Sequence, residues 1–162
     1  MGSSKLLIYF HANAEDIGLA YPLLDSIRNV IKINVIAPEY PGYGLYNTVR
    51  AVGKQVSNQT IYPSSEQIRE DSECVYDFVI NNFPNIQEKD IIILGRSMGS
   101  GPSVHLSSIH EPGALILLSA YTSIKQVVTE KFGYLSALVQ EHFDNLSIMD
   151  QIRSPTLFIH GK

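Results

Sequence analysis

The chain has 162 residues, 44% of them hydrophobic and 17% charged, a globular composition that suits a single domain spanning 1–162 with a real core. Its formal net charge of −4 offers no basic patch for nucleic acid, and no apolar run approaches the roughly 18 residues of a membrane span. The lone Cys74 excludes an internal disulfide framework and is compatible with a reducing compartment; with no signal-peptide pattern visible the expectation is cytoplasmic, with membrane association through segments outside this sequence left open.

The first residues, MGSSKL, begin like a myristoylation signal, but Leu6 stands where Ser or Thr is needed. Five apolar runs follow in order: Leu6–Phe10, Ile33–Ala37, Ile91–Leu94, Ala114–Leu118 and Leu157–Ile159. None shows clean polar alternation, which is the pattern of parallel strands covered on both faces. Between the first two, Ile17, Leu24, Ile27 and Ile31 recur at helical spacing, with Pro22 awkward unless it falls in the first turn. Ser64 and Gln67 read as a capping box, and Ile68, Val75, Phe78 and Val79 form the apolar face of the helix behind it. Val104, Leu106 and Ile109 predict a shorter helix after the third strand. Strands alternating with helices predict an α/β fold, a doubly wound parallel sheet with helices on both faces. The sheet order expected is 2-1-3-4-5, with the third strand central.

Two stretches break the alternation. The segment between the second strand and Ser64 is long and rich in Gly, Pro and Asn, so it is read as a loop rimming a site. Residues 121–150 exceed a simple crossover and carry Val127, Val128, Phe132, Leu135, Leu138 and Val139, which predicts a lid-like insertion.

The third strand runs into Gly95-Arg96-Ser97-Met98-Gly99, a G-x-S-x-G pattern. A strand turning sharply into a helix strains the corner residue and thrusts its side chain outward, and flanking glycines remove the Cβ atoms that would clash there. The following helix points its positive end at the corner, and the Met98 N–H would face a developing oxyanion. The plainer reading is a glycine-rich turn with an incidental serine. After the first strand comes His11-Ala12-Asn13-Ala14-Glu15, similar to an H-G-x-x-E loop with Ala12 in place of glycine. The Asn13 N–H is then a second oxyanion donor, and the His11 ring orders the loop rather than moving protons.

These stretches occur together with PEYPGYG at 38–44, LLSAYTS at 117–123 and SPTLFIHGK at 154–162. In that order the chain resembles the α/β-hydrolase superfamily, in particular the small α/β-hydrolase-domain proteins that include protein depalmitoylases and relatives of serine aminopeptidases. The resemblance implies Ser97 as nucleophile, Met98 and Asn13 as backbone oxyanion donors, no cofactor and no metal. It implies a small-molecule or acylated-protein ester or thioester as substrate. Tyr40 and Tyr43, after the second strand, either shape the substrate pocket or simply pack. The superfamily's acid would fall about two residues beyond Lys162 and its histidine later still, so this chain is expected to be C-terminally truncated and inactive by itself. His11, His105, His110, His142 and His160 offer no obvious substitute. A binding module on the same scaffold and a serine peptidase remain open as alternatives.

Overall fold

The computed structural model describes residues 3–47, 64–121 and 143–161. Five strands are present in them: β1 (Leu6–Phe10), β2 (Asn34–Ile36), β3 (Ile91–Arg96), β4 (Ala114–Leu118) and β5 (Thr156–Ile159). They form one all-parallel sheet in the order β2-β1-β3-β4-β5, as the sequence predicts. The helices are α1 (Ile17–Ile31), α2 (Ser65–Asn82), α3 (Ser100–Ile109) and the short α4 (Asn145–Ile148).

Strand alternation explains why β1 reads as an unbroken apolar run. Leu6, Ile8 and Phe10 point into one core with Ile91, Ile93, Leu115 and Leu117, beneath Ile68, Tyr76 and Val79 of α2 and Val104 and Leu106 of α3. Leu7 and Tyr9 point the other way, into a smaller core with Leu94, Ala20 and Leu24 of α1. Fully burying an aliphatic side chain of this size stabilises the fold by about 1.5–3 kcal/mol, so β1 and β3, buried on both faces, form its spine. The second face is thinner, since Ile92 and Ile116 are only partly covered there.

Three helix readings change. Pro22 lies in the second turn of α1, yet the helix runs through it. This forfeits the bond Pro22 would have donated to the Gly18 carbonyl and crowds its ring against that carbonyl, while Asp16 caps the helix start by accepting the Leu19 N–H at 2.8 Å. The predicted capping box is half made. Ser64 Oγ accepts the Gln67 N–H at 3.1 Å, but the Gln67 side chain turns forward to Asp71, one turn on. On α2 the inner face is Ile68, Ser72, Tyr76 and Val79, with Phe78 exposed against Phe83. Ile31 and Ile109 are exposed as well, each at the last position of its helix.

Most of the predicted insertion, residues 122–142, lies outside the described residues, as does His142. Its flanks are firmly held. The Phe143 ring fills the space beside Gly101, where an added Cβ would stand 2.3 Å from the ring. Buried Asn145 donates from Nδ2 to Ser100 Oγ and to the Tyr121 carbonyl, each at 3.0 Å.

Candidate active site

The site grows from the end of β3. Arg96 is extended, and the next residue, Ser97, adopts a left-handed conformation with φ 49°. For a serine this conformation costs about 1–2 kcal/mol and persists only where surrounding packing enforces it. The enforcement is visible. A Cβ on Gly99 would stand 2.0 Å from the Phe10 carbonyl oxygen, and one on Gly95 would stand 2.4 Å from the Gly99 carbonyl oxygen and from Ser103 Oγ. With both side chains absent, a single turn of 3-10 helix (Ser97–Gly99) packs onto the end of β1 and passes into α3. Ser100 Oγ donates back to the Ser97 carbonyl at 2.7 Å. Ser97 and Met98 are both half-buried at the carboxyl edge of the sheet, before the positive end of α3.

The loop from β1 to α1 lies alongside. Asn13 is exposed, and its side-chain oxygen accepts a hydrogen bond from the Tyr43 hydroxyl. The same hydroxyl stands 3.8 Å from Met98 Sδ. Tyr43 therefore touches both residues expected as oxyanion donors. Tyr40 does not share its position: it is 2% exposed, and its hydroxyl donates to the His11 carbonyl at 3.0 Å. Tyr40 packs beneath the loop with its ring 4.0 Å from that of His11, and desolvation in this core pushes its phenol well above the ordinary range. Tyr43 is shifted upward too, by partial burial and the charge of Glu39.

Sequence reasoning passed over two carboxylates that hold this loop. Glu15 accepts from the Tyr9 hydroxyl at 2.9 Å, from the Ala12 N–H at 3.1 Å and from Arg96 at 2.9 Å. Glu39 accepts the Ile17 N–H at 3.2 Å, and its other oxygen lies 2.8 Å from His11 Nε2, close but not aligned for a hydrogen bond. The signal available beforehand was an acidic residue beside each apolar strand end, in HANAE and PEY.

Of the four described histidines, three are engaged elsewhere, and the fourth, His160, lines a cleft beside the Ser97 corner. His11 is completely buried, with Nδ1 2.9 Å from the Ala12 carbonyl oxygen. His105 pairs with Glu73 of α2 at 2.7 Å, and His110 stacks on Tyr76. Among the described residues no histidine bonds to the Ser97 hydroxyl. Among them, too, no group of three His, Cys, Asp or Glu is arranged to hold a metal, and no helix is long and apolar enough to cross a membrane. Beside the elbow, where the Tyr121 hydroxyl reaches the Met98 carbonyl at 3.5 Å, a cleft of about 270 Å³ opens among Leu117, Tyr121, Leu146, Met149, Phe158 and Ile159.

No protein-family profile matches the chain. It is 30% identical over 158 residues to human alpha/beta hydrolase domain-containing protein 17B, covering 96% of this chain and 48% of that protein. In general the chain spans about half the length of the curated relatives it matches. Among solved structures, an alpha-beta hydrolase from Vibrio vulnificus superposes with a TM-score of 0.69 at 20% identity, over 96% of this chain and 56% of that one. The fluorophosphonate-binding serine hydrolase F of Staphylococcus aureus superposes with a TM-score of 0.65 at 19% identity, over 100% of this chain and 66% of that one.

Proposed function

On the premise that this chain carries the α/β-hydrolase fold, we propose that the whole protein is a serine hydrolase that cleaves carboxylic ester or thioester bonds through Ser97. The observation that supports this most is the left-handed Ser97 at the β3–α3 corner, with φ 49°. Strain at an exposed-edge serine, maintained by two side-chain-free neighbours, is what a positioned nucleophile needs. In this reading Ser97 Oγ bonds to the acyl carbon, its proton passes to a general base, and the alcohol or thiol departs with a proton. Water then releases the acyl group and restores the serine. The N–H groups of Met98 and Asn13 stabilise the oxyanion in both steps. The acid and base are residues of the whole protein other than those described here. The cleft beside Tyr121, lined mostly by apolar side chains, suits the hydrocarbon part of an acyl group.

The test is hydrolysis of p-nitrophenyl esters and acyl thioesters by the full-length protein. Ser97→Ala lowers kcat by on the order of 10⁶-fold, the loss seen when a serine nucleophile is removed. Full activity in Ser97→Ala, or none in the full-length protein with either substrate, overturns the reading.

A further inference from the structure

Asn13 is an exposed loop residue whose side-chain oxygen accepts from Tyr43. A second tie sits one residue earlier, on the backbone. The Ala12 N–H is held by Glu15 Oε2 at 3.1 Å, and the other oxygen of that carboxylate holds Arg96 at 2.9 Å. Arg96 is in turn the residue immediately before Ser97. The Glu15 side chain is 10% exposed, and the buried Tyr9 hydroxyl donates to it at 2.9 Å. One carboxylate therefore ties together the residue preceding each wall of the site, across 81 positions of sequence. The ion pair joins the β1–α1 loop to the last residue of β3, and the two strands behind them are neighbours, with Phe10 paired to Gly95.

Chemistry argues against a purely stabilising role. An Arg–carboxylate pair near the surface contributes little to folding, and the Arg96 side chain is 43% exposed. A two-pronged carboxylate anchored by a buried hydroxyl does give geometric specificity, because its oxygens cannot move independently. Hydrolase sites depend on such geometry, since a shift of about 1 Å can cost on the order of 10²-fold in rate.

We infer that Glu15 and Arg96 are positioning residues, a clamp that sets the separation of the Asn13 and Met98 N–H groups around Ser97. The catalytic part of this inference rests on the hydrolase reading above. In the full-length protein, Glu15→Gln keeps the shape and an acceptor for Ala12 but loses the charge. It lowers kcat about 10- to 100-fold with KM within about twofold. Arg96→Gln does the same, the double variant is no worse than either single one, and Arg96→Lys recovers part of the loss. Thermal unfolding of Arg96→Gln stays near that of the wild type.

A second readout does not depend on turnover. Hydrogen exchange of the Ala12 amide speeds at least about 10-fold in Arg96→Gln, because its acceptor is no longer held in place. Labelling of Ser97 by a fluorophosphonate separates the two failures. If the wild type does not label, the hydrolase reading fails and the catalytic role falls with it, while Ala12 exchange still decides whether the clamp exists. If the wild type labels and Glu15→Gln and Arg96→Gln label at the same rate with unchanged kcat, the clamp positions nothing and the inference is wrong.

Discussion

Gly99 rests directly on the carbonyl of Phe10: a methyl group on its Cα would stand 2.0 Å from that oxygen and 2.5 Å from the carbonyl carbon. The partner is backbone in the central pair of strands, so it cannot rotate aside as a flexible side chain would. Gly99→Ala is expected to cost about 1–3 kcal/mol through forced backbone displacement. Gly161→Ala serves as the control, because an added Cβ there meets nothing within 4 Å. Urea denaturation of the two variants checks this; equal midpoints would remove the packing explanation for the glycine.

Strain at Ser97 makes an opposite prediction for stability. With φ at 49°, Ser97→Gly relieves a conformation that side-chain-bearing residues disfavour. It should be about 0.5–1 kcal/mol more stable than Ser97→Ala, although both lack the hydroxyl. A thermal melt of the pair reads the difference. If Ser97→Ala is the more stable variant, the strain argument fails.

Burial raises the phenols of Tyr9, Tyr40 and Tyr76, with Glu15 adding to the shift at Tyr9 and Glu88 at Tyr76. Their folded-state values lie above the unfolded value near 10, so the folded chain holds those protons more tightly. Their contribution to stability is complete below about pH 10 and is lost as pH rises from there through the folded values. Absorbance at 295 nm during alkaline titration follows phenol ionisation. The buried group should ionise late and together with loss of helical circular dichroism. Smooth ionisation of every tyrosine near pH 10 with the fold intact would contradict it.

The outer strand β5 presents Leu157, Phe158 and Ile159 at 53%, 61% and 47% exposure. Among the described residues β5 is an edge of the sheet, and an apolar edge strand is a template for self-pairing. The 162-residue chain is expected to self-associate at micromolar concentration, and Phe158→Lys to shift it toward monomer. Light scattering after size exclusion measures this; a monomeric wild type would refute it.

The strands and their order were legible because parallel strands covered on both faces leave unbroken Ile/Leu/Val runs, as at Leu6–Phe10. The elbow was legible because its glycines answer to local geometry. Phe78 misled because periodicity marks apolar positions without saying which face a partner will cover. The small polar residues of α3 went unnoticed for the converse reason. Ser100, Ser103 and Ser107 are buried, and their value lies in close approach rather than hydrophobicity. Tyr40 and Tyr43 sit three residues apart with opposite fates, which only the folded loop decides. Glu15 and Arg96 carry no mutual signal in the chain, since their pairing exists only once β1 and β3 lie side by side.

Asn145 has a consequence for how this scaffold accepts change. By bonding both Ser100 and the Tyr121 carbonyl, it brings the two ends of the 122–142 stretch to a common anchor on the elbow helix. Removing that amide leaves a buried partner without its donor, which costs about 1–3 kcal/mol. Asn145 thus acts as a rivet: through Ser100, whose hydroxyl donates to the Ser97 carbonyl, it couples the backbone at Tyr121 to the corner that holds the serine.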